Sequence, residues 1–122
     1  GAASAMAAAA LTFLRGGTPK ACGNACAIAL KNLLGLVCDP VAGLVEVPCV
    51  KRNVIGVVNA ISSANLAMAG ITSRIPADEV IDAMGEIGRH MPESVRETAQ
   101  GGLAATPTGQ EIAETVLKRP AT

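Results

Sequence analysis

The sequence predicts an all-α fold: a single compact helical domain of about five or six helices, with one Cys-bearing Gly/Pro loop. Three observations carry this expectation. Half of the 122 residues are hydrophobic and many of those are alanine, the strongest helix former. Apolar residues recur at helical rather than alternating spacing. Gly and Pro fall between the periodic segments, where helices start and stop. The length suits one domain with one core, and neither a repeat nor a low-complexity linker interrupts it.

The first helical segment runs from about Ala2 to Leu14 and ends at Gly16-Gly17, a pair suited to a C-terminal cap. Its alanines read as a buried, tightly packed helix. The run is too short to span a bilayer and lacks the basic start of a signal peptide. Thr18-Pro19 then supplies an N-cap and a proline at the first helical position, opening a helix that should end near Gly35. The segment "LVCDPVAGLVEVPCVKRN", residues 36–53, follows, and its 38–49 portion is expected to be loop. Within it "GLVEVPCV" alternates only briefly.

A third helix is expected over "RNVIGVVNAISSANLAMAG", closed by Gly70. A fourth starts at Pro76-Ala77-Asp78-Glu79, where acidic residues favour the positive end of the helix dipole, and stops at Pro92. Residues 92–99 read as one short helix. A last helix is expected from Gln110 to about Lys118, with Thr108 as its cap.

Composition removes several functions. Formal net charge is zero, the charged fraction is 16%, and Phe13 is the only aromatic residue. Nucleic-acid binding needs a clustered basic surface or stacking platforms, so no nucleic-acid partner is expected. No membrane partner is expected either. With no targeting segment read in the sequence, the cytoplasm is the expected location and the four cysteines are expected to be reduced thiols or metal ligands.

Cys22 and Cys26 lie four apart on a predicted helix among alanines, so they read as small core residues. Cys38 and Cys49 are eleven apart on a segment stiffened by Pro40, Gly43 and Pro48. A zinc site from all four has the wrong spacing for the common motifs. From the residues alone, three readings of Cys38 and Cys49 stay open: thiols buried at a turn, a disulfide switch, or ligands of an iron–sulfur cluster. His90, the only histidine, follows Arg89 near a helix end and reads as a solvated capping residue. Glu46 reads as an exposed loop carboxylate. Arg52 and Asn53 are candidates to bind a substrate carboxylate or to order the loop.

The stretch "LKNLLGLVCDPVAGLVEVPCVKRN" resembles the iron–sulfur-dependent L-serine dehydratases, in the C-terminal part of their α chain or α domain. "GAASAMAAAAL", "GGTP", "NAISSANLAMAG" and "RETAQGGLAATPTG" share the resemblance, which covers nearly all of residues 1–122. It implies a lyase, an L-serine ammonia-lyase, that converts L-serine to pyruvate and ammonia with a [4Fe–4S] cluster acting as in aconitase. Cys38 and Cys49 match two of its three cysteine ligands. The third is expected upstream of Gly1, so residues 1–122 read as a C-terminal fragment of the α domain, inactive alone and without a cluster of its own. Implied partners are L-serine, the rest of the α domain, a β domain or chain, and further copies in a homo-oligomer. The competing expectation is a helical structural or interaction module whose thiols only pack or switch.

Overall fold

A computed structural model describes residues 1–118. Among these it contains five α-helices: α1 Ala2–Leu14, α2 Pro19–Lys31, α3 Cys49–Met68, α4 Ala77–His90 and α5 Pro107–Leu117. Three single turns of 3₁₀ helix, Val41–Gly43, Glu93–Val95 and Gly102–Ala105, join them. The described residues contain no strand, only one isolated parallel bridge between Cys38 and Arg96. The fold is therefore all-α, as the periodicity predicted. No helix among the described residues is long and apolar enough to cross a membrane.

The chain divides into two compact units. The first comprises Gly1–Leu36 and Val54–His90; the second comprises Val37–Asn53 and Met91 onward. Helix α3 gives its first turn to the second unit and the rest to the first.

The first unit has an alanine core: Ala5, Ala8, Ala25, Ala27, Ala29, Ala60 and Ala67, with Leu30 and Val80. A buried methyl contributes only about 0.8 kcal/mol, so such a core must draw on close backbone approach and polar ties as well. Those ties are present. Ser4 Oγ donates to Gly56 O at 2.6 Å. Asn59 Nδ2 donates to Ser4 Oγ and to Ala29 O, each at 3.0 Å, and Asn59 Oδ1 accepts from Asn32 Nδ2 at 2.7 Å. One side chain thereby joins α3 to α1, to α2 and to the turn after α2.

Helix α1 differs from the expectation that it is buried. Ser4, Ala5, Ala8 and Thr12 form one buried stripe, with Ala9 and Leu11 half-buried, while Met6, Phe13 and Leu14 stand out to solvent. Its end is as expected: Gly16 adopts φ 80° just past the C-cap Arg15, in the left-handed region that glycine occupies without a Cβ penalty.

Two helix starts differ from the sequence reading for one reason. Helix α3 begins at Cys49, not Arg52, because Pro48 opens it: Lys51 N and Arg52 N donate to Pro48 O at 3.1 and 3.2 Å. Helix α5 begins at Pro107, not Gln110, and its cap is Thr106 rather than Thr108; Thr106 Oγ1 accepts from Gly109 N at 3.1 Å. The start of α5 obeys the rule that correctly placed α2, whose cap Thr18 accepts from Ala21 N at 3.2 Å, whereas Pro48 lies just before the first helical residue of α3. Residues 92–99 hold one 3₁₀ turn and no longer helix; Glu97 and Ala99 take φ of 67° and 56°, which interrupts any helical run.

Candidate functional site

The second unit gathers the segment that the sequence marked. Pro40 and Val41 are buried at its centre, beside the turn at Val41–Gly43 against which α5 packs. Three non-glycine residues with positive φ, Ala42, Glu97 and Ala99, all lie in this unit. Such conformations persist where surrounding contacts over-determine the backbone, and they concentrate at functional sites.

Cys38 is exposed, yet its backbone is fixed on both sides. Its N–H donates to Val95 O at 2.9 Å, and its carbonyl accepts from Glu97 N at 2.7 Å. The stretch "RETAQGGLAATPTG" therefore supplies part of the frame for the cysteine loop. Cys49, half-buried, is the first residue of α3. Partial desolvation pushes the Cys38 thiol above its ordinary pKa; the charges of Glu97, Cys49 and Asp39 push the same way, and Arg52 opposes them. Cys49 thus lies within electrostatic reach of Cys38.

Asp39, next to Cys38, is the residue the sequence reading missed. Its side chain is 2% exposed. Oδ1 accepts from Arg52 Nη1 at 2.6 Å, and Oδ2 accepts from Leu103 N at 2.6 Å. Burial alone would raise its pKa. The Leu103 N–H, the Arg52 guanidinium and its own backbone N–H outweigh that and hold the carboxyl below its usual range. "CDP" carried the aspartate in plain view, but nothing in the sequence says that a loop carboxylate will be buried.

Arg52 Nη1 also donates to Val37 O at 3.1 Å, so this side chain orders the loop, one of the two roles expected of it. Asn53 and Glu46 are exposed. His90 lies at the end of α4 with Nδ1 2.9 Å from Glu86 O, the position of a capping residue. Cys22 and Cys26, in the first unit, are half-buried rather than buried. Exposure falls along α2, and both precede its fully covered stretch at Ala27–Leu30. Cys26 still packs against the alanine core, and desolvation raises its pKa.

Thiols are soft ligands for iron–sulfur clusters, so Cys38 and Cys49 fit such a group by donor chemistry. They fit it as part of a ligand set. No group of three or more His, Cys, Asp or Glu among the described residues is arranged to hold a metal ion.

The family described as "Serine dehydratase alpha chain" matches residues 1–104. The chain is 66% identical over 117 residues to the probable L-serine dehydratase, alpha chain, of Bacillus subtilis, which covers 96% of this chain and 39% of that protein. It is 66% identical over 109 residues to the probable L-serine dehydratase, alpha chain, of Latilactobacillus sakei, covering 89% and 52% respectively. With the L-serine dehydratase, alpha chain, of Peptoniphilus asaccharolyticus it shares 56% identity over 118 residues, 97% of this chain and 40% of that one. The chain spans between two fifths and about half the length of these curated relatives.

Proposed function

The chain belongs to the serine dehydratase alpha chain family, and from that we propose that it supplies two of the three thiolate ligands of a [4Fe–4S] cluster in an L-serine ammonia-lyase. The reaction is the conversion of L-serine to pyruvate and ammonia. The observation that carries the proposal is the fixing of Cys38 through both of its backbone groups, in the unit that also holds Cys49. A thiol held in this way presents its sulfur from a rigid base without needing a packed side chain.

The cluster, when bound, supplies a Lewis-acidic iron toward the serine hydroxyl, a poor leaving group without such help. The chain's own residues have narrower tasks. Cys38 and Cys49 hold the cluster as thiolates, so each releases a proton as it binds. Arg52 favours the Cys38 thiolate and orders the loop, while Glu97 and Asp39 oppose a bare thiolate there until a cation compensates. Asn53, exposed one residue further along α3, is the side chain free to meet the substrate carboxylate. The third thiolate comes from a part of the α chain outside residues 1–122. By themselves these residues are inactive and keep no four-iron cluster.

The partners follow. Val54, Val57, Val58 and Ile61 form an apolar face on α3, with Val57 and Val58 each 60% exposed, and the remainder of the α chain is the part we assign to cover it. A β chain or domain and further copies complete the enzyme, in the cytoplasm. The test is pyruvate formation from L-serine by the intact enzyme prepared without oxygen. Activity lost in Cys38→Ala and in Cys49→Ala, and kept in Cys22→Ala, supports the proposal. Activity retained in either of the first two contradicts it.

A further inference from the structure

We infer that Asp39 is a positioning residue that sets the separation of the Cys38 and Cys49 thiols for the group they share, an inference that rests on the cluster-ligand reading above. Three segments meet on its carboxylate. The aspartate is bonded directly to Cys38 in the chain. Its Oδ1 holds Arg52, three residues beyond Cys49 and so one helical turn along the same side of α3. Its Oδ2 holds the backbone N–H of Leu103, in the stretch that continues from the residues clamping Cys38. With both oxygens engaged by different elements and the side chain 2% exposed, the carboxylate has no second rotamer that keeps its partners.

The surroundings are shaped around this group. A Cβ built on Gly102 would come within 2.8 Å of Asp39 Cβ and Cγ, closer than real side chains approach. The glycine therefore admits the carboxylate to the Leu103 N–H. Without the Asp39–Arg52 tie, the loop carrying Cys38 and the turn carrying Cys49 would keep as links the Arg52 Nη1 bond to Val37 O and the chain segment 40–48. That segment contains the exposed Leu44, Val45 and Val47.

The test uses the intact α chain with every cysteine except Cys38 and Cys49 replaced by alanine, leaving two thiols, and phenylarsine oxide as probe. The arsenical loses its oxygen as water, with the two thiol protons, and forms two As–S bonds, so capture depends on sulfur–sulfur geometry. A monofunctional alkylating agent counts accessible thiols in parallel, and circular dichroism follows helix content. With Asp39 present, one arsenical is captured per chain. Asp39→Ala is expected to weaken capture about tenfold, with both thiols still alkylated and helix content kept, because effective concentration falls as geometry loosens. Equal capture by the variant overturns the positioning role and leaves the ligand reading standing. Failure of the Asp39-bearing chain to capture the arsenical overturns both. If Asp39→Ala does not fold, Asp39→Asn decides: it keeps the shape and an acceptor for Leu103 but loses the ion pair. Weaker capture supports the inference and equal capture overturns it.

Discussion

Leu103 donates its backbone N–H to Asp39 Oδ2 at 2.6 Å across 64 positions of sequence. That bond ties two stretches of the family resemblance, "CDP" and "GGLAATPTG", into one unit. The tie is possible only because residue 102 has no side chain.

Gly102→Ala should therefore destabilise the second unit. The new Cβ would lie 2.8 Å from Asp39 Cβ, and the backbone at φ 60° disfavours any L side chain. Overpacking and backbone strain together are expected to cost roughly 2–4 kcal/mol. Urea denaturation of the variant measures it. A loss below about 0.5 kcal/mol, the range of ordinary surface changes, would contradict the account.

Acid should weaken the fold through Asp39. Its folded pKa lies below the unfolded one, so its contribution is fully present above the unfolded value near 3.9, taken as about the reference carboxylate pKa. It is lost as pH falls through the lower, folded value. Asp39→Asn is expected to be less stable than the parent at neutral pH and to show a smaller loss on acidification. Denaturation curves at a series of pH values check both, and an unchanged pH slope would count against the ion pair.

Asn59 carries three of the polar ties of the first unit. Its Nδ2 donates to Ser4 Oγ and Ala29 O, and its Oδ1 accepts from Asn32. Asn59→Ala removes three hydrogen bonds and leaves the Ala29 carbonyl without this donor, so a loss of about 1–3 kcal/mol is expected. Chemical denaturation provides the measurement. Wild-type stability in the variant would mean that the alanine packing alone suffices.

The thiol of Cys38 should react slowly for its exposure. Desolvation, followed by the charges of Glu97, Cys49 and Asp39, raises its pKa against the pull of Arg52. Less thiolate is then present at neutral pH than in a free cysteine. Its alkylation rate, followed by mass spectrometry of the Cys38 peptide, should keep climbing above the ordinary cysteine pKa. Glu97→Gln should shift the profile to lower pH. A plateau at or below the ordinary value would contradict this electrostatic picture.

How much of this was legible in the sequence depends on the scale of the feature. Helix identity was legible because alanine-rich periodicity and the Thr18-Pro19 start act locally. The same logic holds at Thr106-Pro107, and Pro48 opens α3 from just outside it, so both helices start three residues earlier than the expectation. The reading of Cys38 and Cys49 as ligands came from the family resemblance; their spacing alone left a disulfide or a buried turn open. Asp39 and Asn59 were not legible. Whether a carboxylate or an amide is buried depends on partners far away in sequence, here Leu103 and Ser4. Likewise α1 looked buried throughout because composition reports how apolar a helix is, not how many of its sides meet a neighbour.

If Cys38 and Cys49 are cluster ligands, the iron and sulfide content of the enzyme depends on both. The intact α chain, with the proposed β chain where that is separate, would be purified without oxygen, and iron and acid-labile sulfide counted in the parent and in Cys38→Ala, Cys49→Ala and Cys22→Ala. About four irons per α chain are expected in the parent and in Cys22→Ala, as for a [4Fe–4S] centre, with loss of that complement in the other two. A full complement of iron and sulfide in Cys38→Ala or in Cys49→Ala would contradict the ligand assignment.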